Sequence, residues 1–300
     1  MRKKILVLGS SGMLGIEVLK EIAKLNNSLI YATVRKTKDI KLVKKYIGEK
    51  KNSIKFLKFQ INKNYKKKLK NMLSGYDFVI NCIGIIKPYI KDSDPKSVEN
   101  ALIVNSLFPH YLKKCANKKT QIYQIATDCV FDGKDGLYSE NFSHNALDVY
   151  GKSKSLGEVN SENFYNIRCS IIGNEIKGHK SLMCWFKHQK KNAKLLGFKD
   201  HLWNGITTKY FGSVVATIIQ NNLKLPNLFH LLPKNIITKY ELLKIFQTKF
   251  KRDDIIIKKF KSKMTIDRTL KTYHKNINKK IHTSLGYKVA PSIQKLINDI

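Results

Sequence analysis

Short apolar runs alternate with amphipathic stretches along the first 175 residues. Ile5–Leu8 and Asp77–Gly84 are apolar enough to be parallel strands that are buried on both faces. The other predicted strands are Leu29–Val34, Ile54–Phe59, Gln121–Thr127 and Ile167–Gly173. Helical patterns lie between them, over Ile16–Ala23, Tyr65–Leu73 and Pro95–Asn117. This alternation predicts an α/β fold with a doubly wound parallel sheet and right-handed crossovers.

The last third of the chain is less regular. Helical patterns cover Ser181–Lys190, Gly212–Gln220 and Tyr240–Phe250, Ala193–Phe198 is predicted to be extended, and a short helix is expected from Ser292. We therefore predict a Rossmann-type domain over residues 1–175. Residues 176–300 are expected to form mostly a small mixed substrate-binding lobe, with some segments returning to the main sheet.

A glycine-rich turn follows the first predicted strand. Its sequence, Gly9-Ser-Ser-Gly12-Met-Leu-Gly15, lies between a buried strand and a helical pattern. Glycines in this position allow a tight turn and let backbone amides at a helix N-terminus approach a pyrophosphate. The context predicts a dinucleotide site that includes Gly9, Ser11, Gly12, Met13, Leu14 and Gly15.

The residue about 20 positions after the glycines distinguishes NAD(H) from NADP(H). An acidic residue there binds the ribose 2′-hydroxyl, but this chain has Arg35 followed by Lys36. The chain has only five arginines, so Arg35 is a stronger signal than a lysine would be. Two cations at this position favour a 2′-phosphate, and the sequence predicts NADP(H) in preference to NAD(H).

Polar and small residues stand at the carboxyl ends of two further strands, the edge at which open α/β sheets bind ligands. Cys82, Ile83 and Gly84 end the fourth predicted strand and are expected to face the cofactor. Asn105, in the middle of the following helix, is either a buried amide with partners near the cofactor or an exposed polar position. Thr127 ends the fifth strand at the same edge.

Tyr150 and Lys154 are four residues apart in a predicted helix, so they share one of its faces. A phenol has a pKa of about 10, and a neighbouring ammonium lowers it. Tyr150 would then give a proton to a carbonyl oxygen as hydride reaches the carbon, Thr127 would hydrogen-bond that oxygen, and Lys154 would also bind the nicotinamide ribose. Asp128 either orients substrate hydroxyls or caps the loop, and Cys129 is either a substrate contact or a packed thiol.

Composition adds limits to this prediction. The chain has 57 basic and 22 acidic residues and a formal charge of +35, but the lysines are spread over nearly every helix and loop. We read them as a solvated surface with a general attraction for phosphorylated ligands, without specific nucleic-acid binding. The five cysteines form no Cys-x-x-Cys pair, so no metal site is predicted and reduced cytoplasmic thiols are expected. Ile5–Leu8 is too short for an export signal, and we expect no membrane span.

Several motifs together resemble the extended short-chain dehydrogenase/reductase superfamily, and within it the dTDP-4-dehydrorhamnose reductase-like, sugar-nucleotide-binding family. They span most of the first 175 residues, and the most specific is the Thr-Asp-x-Val-Phe-Asp-Gly segment. The motifs are Gly9–Gly15, Asn81–Gly84, Asn105–Pro109, Thr127–Gly133, Tyr138–Glu140, Tyr150–Lys154 with Gly157-Glu158, and Arg168–Gly173.

The resemblance implies an NAD(P)-dependent enzyme with Thr127, Tyr150 and Lys154 as its catalytic triad. It further implies NADP(H) on the glycine turn, a nucleotide-linked 4-keto-6-deoxysugar as substrate, contacts from Asp128 and Cys129, and a role in surface polysaccharide synthesis. A homodimer is a candidate assembly. A nucleotide-sugar epimerase and a non-catalytic NADP-binding regulatory subunit of the same fold remain the alternatives.

Overall fold

The computed structural model describes residues 2–48, 53–178 and 180–300. Its helices are α1 (Met13–Ile22), α2 (Asp39–Ile47), α3 (Tyr65–Met72), α4 (Pro95–Ala101), α5 (Phe108–Cys115), α6 (Val149–Leu156), α7 (Leu182–Lys187), α8 (Thr208–Asn221), α9 (Lys239–Lys249), α10 (Lys275–Ser284) and α11 (Ile293–Asn298). Its strands are β1 (Lys3–Leu8), β2 (Ser28–Val34), β3 (Ile54–Lys58), β4 (Phe78–Asn81), β5 (Gln121–Ala126), β6 (Phe164–Arg168), β7 (Ile171–Ile172), β8 (Lys194–Phe198), β9 (His201–Trp203), β10 (Ile206–Thr207), β11 (Leu228–His230), β12 (Ile237–Thr238), β13 (Ile256–Phe260) and β14 (Ile266–Asp267).

Seven parallel strands form the central sheet in the order β11-β6-β5-β4-β1-β2-β3. The order reverses between β1 and β4, where Val7 is in register with Ile80 and Leu8 with Asn81. At such a switch point the two connections leave the sheet on opposite faces, and a crevice opens at the carboxyl ends of the strands. The predicted doubly wound Rossmann-type fold is confirmed.

The packing of strand β1 on both faces of the sheet explains its continuous apolar sequence. Ile5 and Val7 pack into one hydrophobic cluster, which includes residues of α1 and α8. Leu6 and Leu8 pack into the cluster on the opposite face, which includes residues of α3 and α5. Because helices cover the sheet on both faces, every core position of this strand is apolar.

The predicted helix over Pro95–Asn117 is divided into three parts. Helix α4 ends at Ala101, a π-helical segment runs over Leu102–Leu107, and α5 follows. Pro109 has no N–H to donate to the carbonyl of Asn105, and a proline ring crowds the carbonyl four residues before it. The wider π-helical turn is the physical solution to this conflict, and it contains Asn105.

The predicted sixth strand also differs from the structure. Strand β6 covers Phe164–Arg168, whereas Ile171 and Ile172 form β7, which leaves the sheet and pairs with β10. The predicted strand Ile167–Gly173 has apolar residues on both sides of this break, so hydrophobicity alone does not show where the chain changes partners. The strand that completes the seven-stranded sheet is β11, which has only three residues and pairs with β6. One segment of the C-terminal third therefore joins the main sheet.

The remaining strands form three small sheets, β10-β7, β12-β9-β14 and β13-β8, between residues 171 and 267. A third hydrophobic cluster includes Trp203 of β9 and Leu242 of α9. The predicted domain boundary at residue 175 stays a prediction. In the part of the chain that the structure describes, no helix is both long enough and apolar enough to cross a membrane.

Candidate functional site

The glycine turn lies at the carboxyl end of β1 and is held by β2. The amide of Gly9 donates to the Thr33 hydroxyl at 2.9 Å, and the amide of Ser10 donates to the Thr33 carbonyl at 3.0 Å. A Cβ at Gly15 would lie 2.2 Å from the Gly9 carbonyl oxygen. Only a glycine at position 15 therefore lets α1 start this close to the strand.

The first turn of α1 fits an anionic ligand. Gly12 is the N-cap residue and supplies no side-chain cap, and the first turn contains no acidic residue. The amides of Met13, Leu14 and Gly15 therefore remain for a ligand, and the helix dipole favours a negative charge there. The residues present fit the pyrophosphate of a dinucleotide, as the sequence predicts.

The end of β4 lies directly against this turn. A Cβ at Gly9 would be 3.0 Å from Cγ1 of Ile83 and 3.3 Å from the backbone of Cys82. The structure therefore brings two of the predicted cofactor segments together. Burial raises the pKa of the Cys82 thiol, which makes it a packing group.

Asn105 is buried, which decides between the two interpretations of its sequence position. Its Oδ1 accepts from the amide of Ile85 at 2.8 Å, and its Nδ2 donates to the Ile85 carbonyl at 3.0 Å and to the Ser153 hydroxyl at 3.1 Å. The side-chain amide of Asn105 is thus hydrogen-bonded within the protein. It connects the loop after β4 with α6, the helix that carries Tyr150.

Arg35 and Lys36 follow β2 directly and are exposed. Their position at the carboxyl end of the strand next to β1 is where the sequence predicts the 2′-phosphate contact.

Thr127 and Tyr150 meet at the end of β5. Asp148 caps α6 by accepting from the amide of Gly151 at 2.8 Å, and a Cβ at Gly151 would lie 2.3 Å from the Cys129 carbonyl oxygen. The small residue lets α6 begin against the turn that follows Thr127. The Thr127 hydroxyl donates to Oδ1 of Asp128 at 3.2 Å. It also lies near enough to the Tyr150 phenol to lower the pKa of that phenol.

The predicted effect of Lys154 on Tyr150 is wrong for this structure. Burial raises the pKa of the Tyr150 phenol, and Lys154 is not among the groups that lower it. The Lys154 ammonium instead donates to the Ile125 carbonyl at 2.8 Å. Burial lowers the pKa of Lys154 to about 8, and the negative charge of Glu158 opposes that shift. Spacing along α6 placed both residues on one face, but it did not show that the ammonium turns towards β5.

Beside Tyr150, Asp128 is buried and Cys129 is partly buried. Burial raises the pKa of Asp128, although the charges of Lys239 and Arg268 oppose this. Burial, followed by the charge of Asp128, raises the pKa of Cys129 to about 12, so its thiol is protonated near neutrality.

Arg168, at the end of β6, is fully buried and connects α6 with distant segments. Its Nη2 donates to Glu158 at 2.6 Å and Nε donates to the same carboxylate at 3.1 Å. Nη1 contacts His230 at 2.8 Å, and Nη2 also contacts His144 at 2.7 Å. The sequence motifs contain Arg168 and Glu158, but no local signal pointed to the two histidines.

The segment after β14 supports the loop that carries Thr127. Nε of Arg268 donates to the Phe131 carbonyl at 2.8 Å, and Nη2 donates to the Asp132 carbonyl at 3.1 Å. Tyr138 donates its amide to the Thr269 carbonyl at 2.9 Å. The sequence motifs do not include Arg268, although arginine is rare in this chain and could have drawn attention to it. They do not include Lys239 either, and nothing distinguishes this lysine from the many others in the sequence.

Among the residues that the structure describes, neither a metal site nor the cavity near α3 involves the predicted site residues. Within residues 2–48, 53–178 and 180–300, no group of three His, Cys, Asp or Glu side chains is arranged to hold a metal ion. A cavity of about 870 Å³ between the start of α3 and the α4 region is lined by none of the predicted site residues.

Residues 2–278 match the model of the family described as the RmlD substrate binding domain. Similar solved structures include a dTDP-4-dehydrorhamnose reductase from Clostridium acetobutylicum, with 19% identity, a TM-score of 0.69 and coverage of 99% of this chain and 97% of that one. A dTDP-4-dehydrorhamnose reductase from Bacillus anthracis in complex with NADP has 14% identity, a TM-score of 0.71 and coverage of 99% and 98%. A UDP-glucuronic acid 4-epimerase from Bacillus cereus with NAD has 17% identity, a TM-score of 0.74 and coverage of 98% and 96%.

Two curated relatives match only part of the chain. The bifunctional polymyxin resistance protein ArnA of Wigglesworthia glossinidia brevipalpis is 29% identical over 162 residues, which are 51% of this chain and 24% of that protein. Methionine adenosyltransferase 2 subunit beta of Danio rerio is 27% identical over 177 residues, 55% of this chain and 53% of that protein. The matched region thus spans about a quarter and about half of these relatives. The comparisons confirm the predicted reductase-like family and its dehydrogenase/reductase fold.

Proposed function

The chain belongs to the RmlD substrate binding domain family, and from this premise we propose that it is an NADPH-dependent reductase of a nucleotide-linked keto sugar, with a 4-keto-6-deoxysugar as the first candidate. The observation that carries the proposal is the meeting of Thr127 and Tyr150 at the sheet edge that also holds the uncapped glycine turn. A proton donor and a dinucleotide site at one edge are what carbonyl reduction requires.

The cofactor would be held by groups from three strand ends. The amides of the Gly9–Gly15 turn would bind the pyrophosphate, Arg35 and Lys36 the 2′-phosphate, and Cys82–Gly84 would line the site. Asn105 would support the cofactor site indirectly, by fixing the loop after β4, because its side-chain amide is already hydrogen-bonded to Ile85 and Ser153. Bound NADPH supplies the hydride that reduces the carbonyl carbon.

The proton comes from the chain itself. Because burial raises the pKa of Tyr150, its phenol stays protonated at neutral pH, which is the form that a general acid needs in the reductive direction. Thr127 would orient the carbonyl oxygen beside that phenol. Lys154, with a pKa of about 8, would return a proton to the site and bind the nicotinamide ribose.

Asp128 and Cys129 would contact the sugar, since both lie beside Tyr150. Cytoplasmic location, a homodimer and a place in surface polysaccharide synthesis belong to the same proposal.

A second candidate is a non-catalytic NADP-binding subunit. It is favoured by the match to a protein named as subunit beta of an adenosyltransferase. Such a protein needs the cofactor site but has no need for a proton donor beside Thr127. An epimerase remains a third candidate, because transient reduction and oxidation use the same groups.

The test is NADPH oxidation, followed by absorbance, with a panel of dTDP-, UDP- and GDP-linked 4-keto sugars. We expect consumption with at least one of them and a reduced sugar as product. Tight NADPH binding without consumption would support the subunit. Conversion of a nucleotide sugar to its epimer without net NADPH consumption would support the epimerase.

A further inference from the structure

His144 lies in the loop between Thr127 and Tyr150, and both nitrogens of its ring have partners. Nε2 is 2.7 Å from Nη2 of Arg168, and Nδ1 is 2.6 Å from the hydroxyl of Ser155 on α6. A guanidinium only donates, so Nε2 must be the acceptor and carries no proton. The ring is therefore neutral, with its proton on Nδ1, which donates to Ser155.

His230 makes the same kind of contact with another nitrogen of the guanidinium. Its Nε2 is 2.8 Å from Nη1 of Arg168, and its Nδ1 is 2.7 Å from the Lys271 carbonyl, which only accepts. Burial and then the charge of Arg168 lower the pKa of His230, the charge of Glu140 opposes this shift, and that of His274 adds to it. His230 therefore stays neutral in mildly acidic solution.

His144 is more accessible, because 27% of its side chain is exposed and can exchange protons with water. The charged groups that face its ring are Arg168 and Glu158, and the Phe131 ring packs against it with the ring centres 5.7 Å apart. Oε2 of Glu158 is 3.6 Å from Nε2, but this oxygen already accepts from Arg168 at 2.6 Å. Burial lowers the pKa of His144, the charge of Glu158 opposes this shift, and that of Arg168 adds to it. A proton on Nε2 would place two donors opposite each other, so acid breaks the contact with Arg168.

The connecting segment, residues 144–146, contacts the turn after Thr127 and the helix that carries the phenol. The amides of its last two residues donate to the Val130 carbonyl, in that turn, at 3.1 and 3.0 Å. On the other side the segment packs against α6, since a Cβ at Gly151 would lie 2.4 Å from Cβ of Ala146. The connecting segment therefore sets how the turn and the helix lie relative to each other.

We propose that His144 is a positioning residue of the reductase: its neutral ring fixes the connecting segment to Arg168 and Ser155, and the segment holds the Tyr150 helix against the Thr127 turn. The inference rests on the proposed function, because it assigns this ring a role in turnover. His144 acts through the placement of Tyr150. Its loss should therefore change kcat, whereas NADPH binding at the glycine turn should not change.

The contact is tested first without substrate, by nitrogen NMR of the isotope-labelled full chain. The ring signals that disappear in His144→Gln belong to His144. At neutral pH we expect them to report a proton on Nδ1 and none on Nε2. A proton on Nε2 would overturn the contact with Arg168 and the proposal with it.

The role in turnover is tested by kcat as a function of pH, with a nucleotide-linked keto sugar that the wild type reduces. At pH ~7.5, His144→Leu should lower kcat by about tenfold or more, because a displaced proton donor loses its alignment, and NADPH affinity should stay within about twofold. His144→Gln should keep kcat within about threefold, since its Oε1 accepts from Arg168. From pH ~7.5 to ~5.0, kcat of the wild type should fall by about threefold or more, and that of His144→Gln by less than about twofold, because glutamine takes up no proton.

His110→Gln is the matched control, because His110 also contacts α6. Its Nε2 lies 2.9 Å from the Leu156 carbonyl, which only accepts, so this ring keeps its hydrogen bond when it is protonated. The variant should have the kcat and the pH profile of the wild type. Loss of the acid response in His110→Gln would show that the response does not come from the Arg168 contact, and would overturn the proposal.

Two results would overturn the positioning role and leave the proposed function standing. One is wild-type kcat in His144→Leu, and the other is an acid loss in His144→Gln as large as that of the wild type. If the wild type reduces no nucleotide-linked keto sugar, the proposed function fails, and the role in turnover fails with it. The NMR result does not depend on activity and distinguishes that failure from a wrong contact.

Discussion

The two sides of the site are built in different ways. On the proposed cofactor side, backbone groups of residues 9–15 would bind the dinucleotide, and they follow a single strand and lie against its neighbour β4. On the substrate side, side chains from distant parts of the chain converge. Thr127, Tyr150, Lys239 and Arg268 come from four separate segments.

The difference follows from what each side must recognise. A pyrophosphate needs amides and a helix dipole, which any sequence with glycines in the right places provides. A proton transfer and a sugar need particular side chains in particular protonation states. We therefore expect substitutions on the substrate side to have large and specific effects, and those on the cofactor side to be smaller.

The largest effect is expected at Tyr150. Tyr150→Phe removes the proton donor but keeps the ring, so turnover should fall by about 10²- to 10⁴-fold. NADPH affinity should stay within about twofold, because the glycine turn is untouched. Steady-state assays and NADPH titration measure the two quantities. Tyr111→Phe, which changes a tyrosine remote from the site on α5, should leave both unchanged. Unaltered turnover in Tyr150→Phe would remove Tyr150 from the mechanism.

The next effect concerns Arg168, which connects Glu158, after α6, with His144 and His230. Arg168→Met leaves the Glu158 carboxylate without the partner that lies 2.6 Å away. Loss of one member of a buried ion pair typically lowers the free energy of unfolding by about 3–5 kcal/mol. Guanidinium denaturation measures this change in the free energy of unfolding. Arg252→Met, which breaks the more exposed pair with Asp254, is the control and should cost clearly less. Equal losses of unfolding free energy in both variants would show that the buried Arg168 contacts stabilise the fold no more than the more exposed Arg252 pair does.

Local signals explain what could be predicted from the sequence. The glycine turn, the strand end at Thr127 and the helix with Tyr150 depend on neighbours within a few residues, and the structure has all three. The resemblance to a reductase family joined them into one site. The three-residue strand β11 lacked such a signal, because short apolar segments are common in loops.

What could not be predicted depends on tertiary contacts. Asn105 is buried because Pro109 widens the helix and because Ile85 and Ser153 supply partners. The pKa of Tyr150 rises chiefly because the phenol is buried, and the negative charges of Asp128 and Asp148 act in the same direction. No spacing rule reports burial. No local pattern indicates Lys239 either, because it lies at the start of α9, far along the chain from Thr127.

A smaller effect should appear in the pH dependence of stability. The pKa of Lys154 is about 8 in the folded chain and about 10.5 when it is exposed. Between these values the unfolded chain binds a proton that the folded chain lacks, so stability rises with pH. Relative to Lys154→Met, the wild type should gain about 1–2 kcal/mol from pH ~7.5 to ~9.5.

Denaturation curves at both pH values give this difference. Lys152→Met, at an exposed lysine of the same helix, should show no such change. A constant difference between wild type and Lys154→Met would mean that Lys154 titrates as an exposed lysine does.

The smallest effect is expected on the cofactor side, at Arg35. Arg35→Asp replaces a cation by an anion where the 2′-phosphate is proposed to bind, so it should weaken NADPH binding by about tenfold. NADH lacks that phosphate, and its affinity should change by no more than about twofold. Fluorescence titration with both cofactors measures the ratio. Lys38→Asp changes the net charge equally at an exposed position three residues further along, and separates a local contact from the general attraction of a chain with charge +35. Parallel losses for NADPH and NADH, or equal effects of the two variants, would contradict a 2′-phosphate contact at Arg35 and leave the cofactor side without a side chain that selects its ligand.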